Sequence, residues 1–207
     1  IQTLQCLSED YPSCPDLFEH EIFGLVLGSA TTSPSAFSLV HDKSIGRELD
    51  QETIDLFSYA LISHEDSKVR AMAYEALRSA SELQELAEDI QNLLALEEQA
   101  RLLPLSDDPN NVLHSMLGLV TSGMPITKGA LAAIVVTLEN AATSSNAALI
   151  LKAALLNDQV DVVFESDIVP AIVGKAQKLP IFIANVSCTY LEEVMIPTDS
   201  TIKTIEE

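Results

Sequence analysis

Histidines with acidic neighbours are the side chains in this chain best suited to chemistry. His20, His41 and His64 precede residue 70, with Asp42 directly after His41 and Glu65 directly after His64. Imidazole and carboxylate groups bind divalent metals, and a metal held by them turns bound water into a nucleophile near neutral pH. His20, His41, Asp42 and His64 are the candidate ligands of this kind. The competing reading is ordinary: histidines at helix ends beside acids, where the helix dipole favours them. That second reading is the expectation, so no catalytic residue, metal or cofactor is assigned.

Other chemistry leaves fewer traces. No GxSxG, Walker loop or dinucleotide glycine pattern occurs. Three cysteines, Cys6, Cys14 and Cys188, are odd in number and lack CxxC spacing, which argues against a disulfide framework or a zinc site. Reduced thiols in a cytoplasmic compartment fit best. Cys188 sits in the apolar run NVSCTYL and reads as a small core residue rather than a nucleophile.

The elements that must position these groups are written in the composition. Hydrophobic residues make up 47% of the 207 residues, but aromatics only 5%, with no Trp. Leu and Ala must supply the core, and that ratio favours helix against helix. A formal net charge of -20 repels phosphate backbones and anionic membranes alike. Direct nucleic-acid binding is thereby disfavoured, and no apolar run reaches the ~20 residues needed to span a bilayer. Such charge serves solubility, and it also steers a basic protein partner. Because the first residue is Ile, the chain reads as a processed product or a piece of a larger protein.

Along the chain, residues 1–50 are the least regular, with one or two short helices. A helix is expected over Asp16–Gly28, SATTSPS reads as a loop, and AFSLVHD is either a helical turn or a buried segment. From Asp50 the apolar period becomes helical. Asp50 or Gln51 starts a helix striped by Ile54, Phe57, Leu61 and Ile62; Asp66 or Ser67 caps the next, which buries Val69, Met72, Ala73, Ala76 and Leu77. Ser81 followed three residues later by Gln84 fits a capping box, so a long helix is expected over 82–103, seamed by Leu83, Leu86, Ile90, Leu93, Leu94 and Leu96. Pro109 behind Asp107 or Asp108 opens a helix that stops at Thr121-Ser122-Gly123. Thr127 caps another, with Leu131, Ile134, Val135 and Leu138 inside. A hinge at 143–145 leads to a helix burying Leu149, Ile150, Ala153 and Leu156. Two more are expected over 168–178 and 182–195, parted by Pro180, before a polar tail at 196–207. GALAAIVVTL and AALILKAALL are apolar on more than one side, as in helices sandwiched between neighbours.

The segment Asp66-Ser67-Lys68-Val69-Arg70-Ala71-Met72-Ala73-Tyr74-Glu75-Ala76-Leu77 resembles the second helix of a HEAT or armadillo-type repeat. That resemblance implies structural roles for Asp66, Val69, Arg70, Ala73 and Leu77, with Arg70 reaching acidic caps on an adjacent repeat. It implies an all-α fold of stacked antiparallel helix pairs, a short α-solenoid over 51–195; a compact helical bundle is the alternative. The implied function is a protein–protein interaction scaffold offering an acidic groove to a basic partner. Two alternatives stand beside it. The histidine set is similar to the HD family of helical metal-dependent phosphohydrolases, although Lys43-Ser44 rather than Gly-Lys follows His41-Asp42. A structural assembly segment within a larger chain is the other.

Overall fold

The computed structural model describes residue 30, residues 33–138, residue 140 and residues 142–157. The helices expected over 16–28, 168–178 and 182–195, and the tail at 196–207, lie outside the described residues. Among the described residues every regular element is helical: seven α-helices, one short 3-10 helix and no strand. None of these helices is long and apolar enough to cross a membrane. They divide into two units between Gln91 and Asn92.

The first unit holds α1 (Pro34–Ser44), α2 (Gln51–Ser63) and α3 (Ser67–Ser81). Each begins on a side-chain cap. Ser33 accepts from the Ala36 N–H ahead of Pro34, Asp50 from Thr53 and Asp66 from Lys68. These bonds satisfy amides that have no partner inside the helix, each worth about 1 kcal/mol. α1 falls at the run AFSLVHD, read as a helical turn or a buried segment; it is a helix of 11 residues, because Ser33-Pro34 is a strong start signal and Phe37, Leu39 and Val40 give it a buried face. Phe37 meets Phe57 of α2 edge to face, with centroids 5.4 Å apart and planes at 80°. α2 packs most extensively on α3, and α1 also packs on α3. The repeat positions Val69, Ala73 and Leu77 are buried on α3, as the period requires. Met72 and Ile62 are only half-buried.

Two polar ties join the end of α1 to the end of α3. The Gly46 N–H donates to Ser79 Oγ at 3.0 Å across 33 residues. The Gln84 amide clasps Leu49 from both sides: Oε1 accepts from Leu49 N–H at 2.6 Å, and Nε2 donates to Leu49 O at 3.1 Å. The end of α1 thus meets the end of α3, so the two helices run parallel with a near-constant sequence offset. Gly46 takes φ +72, a left-handed conformation that turns the chain out of α1.

Gln84 also corrects an expectation. The Ser81–Gln84 pair is not a capping box. Ser81 is the last residue of α3 and its hydroxyl donates back to Arg78 O. Residues 82–87 form a turn and link, and the next helix, α4, spans Glu88–Leu102 rather than beginning at 82. Leu83, expected in its seam, is 48% exposed.

The second unit contains α4 from Asn92 onward, the 3-10 turn Leu103–Leu105, α5 (Pro109–Thr121), α6 (Lys128–Thr137) and α7 (Ser144–Leu156). Asp108 caps α5 with Pro109 at its first position, and Thr127 caps α6. Leu96, Leu113, Met116, Leu131, Ile134, Leu138, Ile150 and Leu151 form one continuous core. α5 and α7 pack closely and run parallel. Asn146 near the start of α7 donates to Asn110 near the start of α5 at 3.0 Å, across 36 residues. At the other end, Asn157 donates to Val120 O at 2.6 Å, across 37. The sandwiching expected for both apolar helices is incomplete: Val136 on α6 is 67% exposed and Leu149 on α7 is 37% exposed.

Candidate functional site

Three places in the described residues gather polar groups. The first is the helical corner α2–α3. His64 follows α2 as its C-cap, and its Nδ1 accepts from Asp66 N–H at 3.0 Å. Its ring lies 6.4 Å from that of Phe37. Arg70 folds back on the same corner and donates through one guanidinium nitrogen to His64 O at 2.7 Å and Glu65 O at 2.8 Å. The expectation that Arg70 reaches an acidic cap on an adjacent repeat is therefore corrected. Backbone carbonyls at the C-terminal end of α2 carry the negative end of that helix's dipole and compete well for a guanidinium one turn into α3. Asp66 meanwhile spends its carboxylate on Lys68 N–H. The stretch His64–Arg70 is a hairpin closure.

A second cluster surrounds His41 on α1. Its Nδ1 lies 3.0 Å from Asp42 Oδ1, and its Nε2 lies 3.5 Å from Glu75 Oε2 on α3. The imidazole is only 12% exposed, while the two carboxylate side chains are 64% and 67% exposed. A carboxylate accepts and does not donate, so Nδ1 carries the hydrogen toward Asp42. The Nε2 atom itself is buried and has no hydrogen-bond partner. Of the alternative metal set, His20 lies outside the described residues. Among the described residues no group of three or more His, Cys, Asp or Glu side chains converges on a metal-sized point. Asp42 is turned to its own neighbour His41, and His64 to its own loop.

The third place is one that sequence reasoning missed. Glu97 on α4 is 5% exposed, an acid inside the core of the second unit. Thr127 Oγ1 donates to Glu97 Oε2 at 2.7 Å and accepts from Ala130 N–H at 2.9 Å, so one hydroxyl caps α6 and binds the acid. Arg101, one turn along α4, stands 3.6 Å from Glu97 Oε1. The carboxylate sits against the N-terminal turn of α6, where the dipole favours negative charge. Gly129 makes room: a Cβ there would lie 2.8 Å from Oε1. A glycine within an otherwise strong helical pattern is the one sequence signal that marks such an approach. The partner, 30 residues earlier, is invisible to any local pattern. With its oxygens engaged and little solvent access, Glu97 is a structural tie.

An open cleft of about 180 Å³ lies at the turn between α1 and α2. Lys43 and Arg47 line it, but so do Glu48 and Asp50, and the charges offset one another. Asp107 is exposed and Asp108 is used as a cap. Cys6, Cys14 and Cys188 lie outside the described residues.

The outer face of α2 is of another kind. Glu52, Asp55 and Tyr59 are exposed and lie within one stripe of the helix, with Tyr59 at 64%. Gln51 donates to Asp55 at 2.8 Å and steadies it. Compared with known proteins, the chain matches no family model, no curated protein and no solved structure.

Proposed function

We propose that this chain is a protein–protein interaction scaffold built from HEAT-like helix pairs, and that it takes a basic protein partner. The observation that carries the reading is the parallel alignment of alternate helices at a steady offset. In the first unit the ties between α1 and α3 join residues 33 and 35 positions apart. Those between α5 and α7 in the second span 36 and 37. A helical repeat produces such an offset, because equivalent positions in neighbouring copies stack side by side. α2 and α3, joined by three residues, form one hairpin of that series.

In this reading α2 presents the binding stripe. Tyr59 offers a large, rigid surface at low entropic cost, and tyrosine is enriched among the residues that dominate binding energy. A guanidinium from the partner stacks on the ring and pairs with Asp55 or Glu52. The overall charge of -20 raises the encounter rate with a basic protein. A photo-crosslinking residue at position 59 tests this. The expected product is an adduct with a basic protein that fades as salt rises. An adduct set that is unchanged by salt or by Asp55→Lys would overturn the reading.

A further inference from the structure

We infer that residues 168–195 of this chain dock on the outer face of α6 and α7 as the next helix pair of the second unit. The inference rests on the helix-pair half of the proposed function and not on its basic partner. It begins with a face that lacks charge. On α6, Ala132 and Val136 are exposed one turn apart, Val136 at 67%, and no charged residue stands between Lys128 and Glu139. On α7, Leu149 is 37% exposed and lies on the side of the helix opposite the buried Ala147, Leu151 and Ala154. Lys152 is the one charged residue of α7. A solvent-facing stripe in this chain looks different, as Glu52 and Asp55 on α2 show. The last pair of a helical stack needs a polar outer face to stay soluble. α6 and α7 lack one, so they are built as interior helices.

Spacing names the occupant. α6 begins 40 residues after α4, from Glu88 to Lys128, and α7 begins 35 after α5, from Pro109 to Ser144. The same steps taken once more reach Ile168 and Leu179. The sequence sets its next helices over 168–178 and 182–195, so each starts within three residues of its extrapolated place. Pro180, at the joint, is also the residue type that opens α5 at Pro109. Each segment carries apolar side chains at helical spacing: Ile168, Ile172 and Ala176 in one, Ile183, Val186 and Tyr190 in the other. The chain runs 50 residues past Asn157, from 158 to 207, enough for one such pair. The offset also fixes a register. Ties between α5 and α7 join residues 36 and 37 apart, so Ser115 of α5 stands level with Lys152 of α7. One further step of 36 brings Cys188 level with Lys152.

The test is cross-linking of the full chain by a short bismaleimide, with adducts mapped by peptide mass spectrometry. Three cysteine pairs are compared, all other cysteines being changed to Ser. Lys152→Cys with native Cys188 reports the added helix. Ser115→Cys with Lys152→Cys reports the packing of α5 on α7. Ser115→Cys with Cys188 is the control. Ser115 and Lys152 are both exposed, so the variants keep the fold, and circular dichroism checks that they do. Packed helix axes lie about 8–10 Å apart, within reach of the reagent, and the control spans about twice that. The first two pairs should give adducts within one chain, independent of dilution and lost in urea, and the control should give none above its urea background. A 115–152 adduct without a 152–188 adduct would overturn the inference and leave the helix pairs standing. Absence of both adducts would overturn the two together. A 152–188 adduct between two chains would also overturn it, because a second copy would then be the cover.

Discussion

Replacing Gly129 by Ala should destabilise this protein, although the usual rule for a helix points the other way. Alanine is favoured over glycine inside a helix by about 1 kcal/mol. Gly129 is the second residue of α6 and its backbone is ordinary, so propensity alone favours the change. The added Cβ, however, would meet Glu97 Oε1 at 2.8 Å, Oε2 at 3.0 Å and Cδ at 3.2 Å. A surface glutamate would swing aside at little cost. Glu97 is 5% exposed and held by the 2.7 Å bond from Thr127, so moving it weakens a charge-assisted bond worth about 1.5–3 kcal/mol. Subtracting the propensity gain leaves a net loss of about 0.5–2 kcal/mol. Urea denaturation followed by circular dichroism measures it. The decisive comparison is the same substitution in Glu97→Ala, where the obstacle is gone and Gly129→Ala should become neutral or stabilising. If Gly129→Ala stabilises the wild type by about 1 kcal/mol, the buried acid is not fixed as described and the reasoning fails.

Other perturbations follow from the same packing. Phe57→Ala removes a fully buried ring and its edge-to-face partner Phe37, at a cost of about 3–5 kcal/mol, read as a lower urea midpoint with an unchanged slope. Arg70→Ala gives up two bonds to the carbonyls that close α2, for about 1–2 kcal/mol. A loss within about 0.5 kcal/mol, the range of ordinary surface changes, would show that the closure contributes nothing. Asp66→Ala strips the cap from α3 and should cost about 1 kcal/mol, whereas Asp66→Asn, still a good cap, should recover most of it.

Helix starts were the most legible feature of the sequence. Thr127 caps as read, and of the alternatives offered at the other starts Asp50, Asp66 and Asp108 are the caps, because a cap is settled within four residues. The stop at Gly123 is equally local, with φ +96. The Ser81–Gln84 pair shows the limit of that method. A capping box is defined by two residue types, but the alanine-rich run before Ser81 carries α3 as far as Ser81, which ends that helix instead of starting the next, and Gln84 finds a better partner in the Leu49 backbone 35 residues away. Arg70 misleads in the same manner: sequence identifies a cation that wants acceptors, and only the fold shows that two carbonyls of its own hairpin supply them. The Glu97–Thr127 and His41–Glu75 pairs join residues from separate helices, so their geometry exists only after packing. Of the histidine set, His41 meets Glu75 on another helix, a contact that no reading of the His-Asp pattern would select.

The most direct test of the scaffold account is a binding measurement on the partner captured at position 59. Calorimetry at two salt concentrations should be run with wild type, Tyr59→Ala and Asp55→Lys. Tyr59 is 64% exposed, so its loss should leave stability within about 0.5 kcal/mol. The account predicts at least about a tenfold weaker complex for both variants, which is 1.4 kcal/mol, and a wild-type affinity that falls with salt. Unchanged affinity in both variants would contradict it, and the outer face of α2 would then be plain solvated surface.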